Sequence, residues 1–168
     1  MKITPPSSEA GTSLIEATIA SCTAALFLGS LFTMNMSAMR AVRTAREASS
    51  ASQVLQQRVE TLRIANWQQI TNASWVTANI LNANAAGADK LNGVSETLTL
   101  TPYNGTTTTS TEISRSNGIN QVVSQNAALL KESAVKVVWK VAYTTGGKGG
   151  TTTRQTVAIL GKGGVAKW

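Results

Sequence analysis

The stretch "SSEAGTSLIEATIASCTAALFLGSLFTMNMSAMRAVR", residues 7–43, decides how the rest of this chain is read. Residues 17–39 carry no charged side chain. At about 1.5 Å per residue that run makes a helix of about 34 Å, enough to cross the roughly 30 Å hydrocarbon layer of a bilayer. Its length and the cluster Ala24-Ala25-Leu26-Phe27-Leu28 favour a membrane helix over a buried core helix. Thr18, Ser21, Thr23, Ser30, Thr33 and Asn35 are the small polar residues that suit helix–helix contact in lipid. At the mouth of the run stands one acid, Glu16, five residues after Gly11.

The run is too long for a cleaved secretory signal, whose apolar core spans about 7–15 residues, and "MKITPPSSEAG" ahead of it is barely basic. Ile19-Ala20-Ser21-Cys22 has the outline of a lipobox. The apolar region before Cys22 would then contain Glu16, and the most hydrophobic residues would follow Cys22, where a lipoprotein has a polar tether. Cys22 reads more simply as a small apolar residue facing lipid or a neighbouring helix. Ser13-x-x-Glu16 matches a capping box, which would make Glu16 a local helix-closing feature. A capping box does not require Gly11.

Gly11-Thr12-Ser13-Leu14-Ile15-Glu16, followed at once by the apolar run, resembles the type III signal sequence of prepilins and pseudopilins, the subunits of type IV pili and type II secretion pseudopili. The resemblance implies cleavage by prepilin peptidase at Gly11–Thr12, N-methylation of the new Thr12 amine, and a mature chain with Glu16 in fifth place. The family usually has Phe or Met where Thr12 stands. A carboxylate in lipid is unfavourable unless paired. The resemblance therefore gives Glu16 a partner, the Thr12 amine of an adjoining subunit, and makes it a register device for polymerisation. It implies other pilin or pseudopilin subunits, prepilin peptidase, an inner-membrane assembly platform and membrane lipid as partners, with no cofactor and no metal. The C-terminal part would lie in the periplasm or outside the cell. Arg40, Arg43 and Arg46 follow the run while only Lys2 precedes it, a bias that alone would place the N-terminus outside; the motif places it in the cytoplasm.

Composition removes most catalytic chemistries. The 168 residues include no histidine and a single cysteine, Cys22. An intrachain disulfide, a Cys/His zinc site, and Ser-His-Asp or Cys-His triads are therefore excluded. No P-loop, GxGxxG or HExxH pattern occurs, and Asp89 is the only Asp. The acidic loop that calcium requires is missing. Nothing in the sequence argues for an enzyme.

"AVRTAREASSASQVLQQRVETLRIANW" contains neither Pro nor Gly and is rich in helix formers. Ala41, Ala45 and Ala48 form a small-residue stripe, and Leu55, Val59 and Leu62 fall at i, i+4 and i+7. One helix is expected from about residue 13 to about Trp67, about 80 Å long, with Leu55, Val59, Leu62 and Trp67 gripping a sheet. "QQRVETLRIANW" is similar to the corresponding segment of minor pseudopilins. The Asn- and Ala-rich residues 71–90 read as a loop region with room for one helical turn; Asn72-Ala73-Ser74 and Asn104-Gly105-Thr106 match the glycosylation sequon only weakly.

Strand signals begin at Asn92. Val94, Leu98 and Leu100 alternate with polar residues, and "TTTTSTEISRSNG" closes on an Asn-Gly turn. In "AVKVVWKVAYTT" Val135, Val137, Trp139, Val141 and Tyr143 share one face, with Lys136 and Lys140 on the other. "GGKGG", residues 146–150, is a hairpin loop, and "TTRQTVAIL" returns as the partner strand, a pairing that resembles the closing hairpin of pseudopilins. The expected class is α+β, with a long N-terminal helix on a small antiparallel sheet: a leader at 1–11, a transmembrane and assembly helix at 12–39, its amphipathic half at 40–70, and a β-rich domain at 71–168. From Lys90 onward nine basic residues face three acidic ones. Lys136, Lys140, Lys148 and Arg154 are expected on one hairpin face, where they could meet nucleic-acid phosphates or serve only solubility and edge protection. The resemblance implies a minor structural subunit of a pilus or secretion pseudopilus. The rival readings are a DNA-uptake minor pilin and a single-pass envelope domain that never polymerises.

Overall fold

The computed structural model describes residues 10–104, 109–146 and 149–163, with side chains from Ser13 onward. Helix α1 runs over Ala10–Ile64. The chain divides into two compact units at Val42 and Arg43.

The first unit, where described, is helix alone. Leu14, Ile19, Leu26, Phe27, Phe32 and Met34 are exposed along it. This is the one helix among the described residues long and apolar enough to cross a membrane. Its hydroxyls are satisfied within the helix. Thr18, Ser21 and Thr23 donate to the carbonyls of Leu14, Ala17 and Ile19, and Ser30 and Thr33 to those of Phe27 and Ser30, all at 2.7–2.8 Å. Such back-bonding lets a polar residue sit in an apolar surrounding without an orphaned donor.

The second unit is α+β. The rest of α1 buries one stripe comprising Ser50, Ala51, Val54, Leu55, Arg58, Val59 and Leu62. The helix ends at Ile64, earlier than the apolar pattern predicts. Asn66 takes an extended conformation and caps a separate short helix, α2 (Trp67–Ile70), its side chain accepting from Gln69 N while Gln69 returns a bond to the Asn66 amide. Trp67 thus enters the core from α2, and its indole N–H donates to Leu130 O at 3.1 Å.

Residues 71–90 are not the loop their composition suggests. Asn72 caps α3 (Ala73–Val76), a π-helical turn follows at Thr77–Leu81, and a 3-10 turn at Ala88–Lys90. Ala73, Val76, Ile80 and Leu81 are completely buried. The first two turns bury two residues each and the 3-10 turn none, too few to show a helical period.

The sheet is wholly antiparallel, in the order β3-β2-β1-β4-β5. Its strands are β1 (Asn92–Pro102), β2 (Thr111–Ser116), β3 (Ile119–Ser124), β4 (Ala134–Thr144) and β5 (Thr151–Gly161). Asn117 and Gly118 join β2 to β3 with φ of 51° and 78°. Positive φ at both central residues is the type I′ turn, the hairpin geometry Asn-Gly favours. β4 alternates as expected: Val135, Val137, Trp139, Val141 and Tyr143 are buried, and Lys136 and Lys140 exposed. The helix packs against the inner face of this sheet, with Leu98, Leu100, Ile113, Leu129, Ala158 and Leu160 completing the core.

Trp139 is the largest fully buried side chain of that core. Trp139→Ala is expected to lower stability by about 3–5 kcal/mol, as other large-to-small core changes do. The full chain in detergent should show the loss as an earlier denaturant midpoint; an unchanged midpoint would mean that helix and sheet do not close over this residue.

Candidate functional site

Gly11 and Thr12 lie in the first turn of α1, and Glu16 is exposed one turn further on. Ser13 is a helical residue three positions inside the start of α1. A capping box requires a non-helical N-cap, so Ser13 does not cap the helix of the uncut chain, which starts at Ala10. What the segment holds is a carboxylate on the helix surface at the edge of the charge-free run.

The domain carries a polar centre that the sequence pattern did not single out. Arg58 and Glu96 form a two-point ion pair, Nε to Oε2 and Nη2 to Oε1 at 3.0 Å each, with their side chains only 3% and 4% exposed. Trp139 Nε1 donates to Glu96 Oε2 at 3.1 Å. Arg58 also donates to the carbonyls of Ala83 at 2.9 Å, Leu81 at 3.4 Å and Ile80. Arg115 donates to Leu81 O as well. One guanidinium therefore ties α1 to the sheet and to the turns between them. All five of its N–H groups are engaged, so the cavity of about 140 Å³ beside it, lined by Ala85, Val94 and Arg115 among others, gains no free donor from Arg58. The centre is structural. The signal was present in the sequence: Arg58 lies three residues after Leu55 within the apolar stripe, and Glu96 is in phase with Leu98 and Leu100.

Glu47 makes a second tie. It is buried, accepts from Arg43 Nε at 3.0 Å, and accepts weakly from the Gly146 amide at 3.4 Å. It thereby fixes α1 beside the β4–β5 loop.

The expected basic face does not assemble. Lys140 is opposite Gln155 and Lys136 opposite Ile159, whereas Arg154 is opposite Val141. Opposed residues share a face. Arg154 is thus on the core side, at the sheet's rim, and only Lys136 and Lys140 share the outer face. Lys148 lies outside the described residues. Two lysines four residues apart on a strand, about 13 Å, surrounded by Thr97, Thr101, Val157 and Ile159, make a solvated face rather than a concentrated phosphate-binding stripe. Among the described residues, no three of His, Cys, Asp and Glu come together as a metal site would require.

No family model matches the chain, no curated protein matches it, and no solved structure matches its fold.

Proposed function

We propose that this chain is a prepilin-like structural subunit. Prepilin peptidase cuts it after Gly11, residues 17–39 anchor it in the inner membrane, and it assembles through that helix with other pilin or pseudopilin subunits on a membrane platform. It is a minor component of a type IV pilus or a type II secretion pseudopilus, with its α+β domain on the far side of the membrane from the N-terminus. The observation that carries the reading is the placement of Gly11 and Glu16 at the head of a charge-free run, on a helix that continues without a break into the helix of the domain's core. Pro and Gly punctuation is what normally separates an anchor from a domain. Here the anchor and the core helix are one element, as a subunit that transmits packing in a fibre requires.

With prepilin peptidase present, the mature chain is expected to begin at Thr12, measured by mass spectrometry of the purified protein. Gly11→Val should leave the leader attached, because a branched side chain does not fit a site that accepts Gly. An N-terminus intact at Met1, or a lipid on Cys22, overturns the reading. A chain that stays uncut and monomeric in the membrane is an anchored envelope domain instead.

A further inference from the structure

A second charged feature of the domain lies away from the sheet. Arg46, Ser49, Ser50 and Gln53 on α1 and Lys90 from the 3-10 turn line one open groove of about 420 Å³. No carboxylate lines it. Arg46 and Lys90 are both exposed, and neither makes an ion pair among the described residues. The neighbouring acid, Glu47, is turned into the core and held by Arg43.

The groove is built, because the turn that carries Lys90 is pinned to α1. Ala85 and Leu91 are buried on either side of it. The Ala86 amide donates to Gln57 Oε1 at 2.6 Å. Gly87 has φ +88°, and a Cβ there would lie 3.2 Å from both the Ser50 carbonyl oxygen and Gln53 Oε1. A side chain at this position is strained and crowded together, so glycine is what lets the turn lie on the helix and brings Lys90 to the side of Arg46.

Its place along the chain says what it meets. Arg46 follows Met39, the end of the charge-free run, by seven residues, about 10 Å of helix. Helical side chains lean toward the N-terminus, here toward that run, and an extended arginine reaches back several ångströms with its charge leading. The polar layer of a bilayer is about 5–8 Å deep on each side. Arg46 is therefore within reach of lipid phosphates whenever residues 17–39 occupy the hydrocarbon, and the groove that holds Arg46 also holds Lys90.

We infer that the groove between Arg46 and Lys90 captures the phosphate of an anionic phospholipid, with the hydroxyls of Ser49 and Ser50 as further donors. It rests on reading residues 17–39 as the membrane span. Two cations, hydroxyl and amide groups, and no acid make the charge complement of a phosphodiester. The capture also gives Arg46 a task on the side of the membrane where the charge bias alone would not place it: it holds a headgroup there.

The test uses the full chain in detergent with added lipid, native mass spectrometry counting the lipids retained. The wild type is expected to keep phosphatidylglycerol in preference to phosphatidylcholine. Arg46→Gln with Lys90→Gln should bind it roughly thirtyfold more weakly, from the usual contribution of two cations at a membrane surface. Lys136→Gln with Lys140→Gln removes the same charge elsewhere and should change nothing. Gly87→Val keeps every charge but displaces the turn, and should weaken retention as well. Undiminished retention in the Arg46/Lys90 variant, or an equal loss in the Lys136/Lys140 variant, overturns the inference. Equal occupancy by inorganic phosphate at millimolar concentration also overturns it, in favour of a soluble anion. Alkaline carbonate extraction of membranes separates this outcome from failure of the anchor: wild type released from the membrane defeats the span itself, whereas a retained Arg46/Lys90 variant without lipid preference supports the groove.

Discussion

Arg58→Met is expected to lower the stability of the domain by about 3–5 kcal/mol. Met matches the arginine stem as far as Nε and has a similar helix preference, so the change removes the guanidinium with its charge and donors. Glu96 then remains in the core with one hydrogen bond, from Trp139. Stranding one partner of a buried pair costs about 3–5 kcal/mol. The carbonyl of Ile80 loses the guanidinium but keeps the Ala83 amide, that of Ala83 belongs to an exposed residue that water reaches, and Leu81 keeps Arg115. The stranded carboxylate therefore dominates the loss, a large share of the roughly 5–15 kcal/mol that holds a typical domain together. The measurement is tryptophan fluorescence of the full chain in detergent across a denaturant series. Adding Glu96→Leu to Arg58→Met should recover most of the loss, since the stranded charge goes and the Ile80 and Leu81 carbonyls keep other donors. A wild-type midpoint for Arg58→Met would show that the pair does not hold the turns to the sheet.

That centre also shows where reading a sequence by pattern stops. Apolar spacing predicts the helix of the core because Leu55, Val59 and Leu62 recur with its period, and it predicts β4 because five inward residues alternate with two lysines. The same reasoning places charges outside. Arg58 and Glu96 are inside because each is the other's solvent, a fact about two positions 38 residues apart in the chain and not about either stretch alone. Residues 71–90 escaped for a different reason: two successive short turns, Ala73–Val76 and Thr77–Leu81, share most of the burial, and neither is long enough to show a period.

The face of Arg154 escaped through parity. Residues that pair across β4 and β5 run from Thr144 opposite Thr151 to Ala134 opposite Gly161. That register sets Arg154 against Val141. A slip of β5 by one residue would have set it against Lys140 or Ala142, on the outer face with the lysines, because a one-residue slip exchanges the two faces of a strand. The motif we propose at Gly11 and Glu16, by contrast, rests on the sequence. The meaning proposed for it involves molecules outside the chain, a peptidase and a neighbouring subunit, so folding the chain adds little to it.

Glu16→Gln separates a cap from a docking group, because glutamine also serves a capping box. Glutamine has the same shape and the same helix preference as glutamate, so the variant should insert in the membrane as the wild type does. It should also be cut after Gly11, since the glycine and residues 17–39 are unchanged. What it lacks is the charge that would receive the Thr12 amine of an adjoining subunit. In lipid that amine is then buried unpaired, and the loss of one partner costs about 3–5 kcal/mol, roughly a hundredfold to several thousandfold in subunit association. Cross-linking and co-purification with the filament partners, run in parallel with processing, measure the two steps separately. Glu16→Asp keeps the charge on a side chain one methylene shorter and should recover a part of the assembly that Gln loses. Full assembly of the Gln variant would remove the pair from the account of this helix. Normal cleavage with lost assembly, partly rescued by Asp, is what a docking carboxylate requires, because neither the peptidase nor the bilayer distinguishes the three side chains in that order.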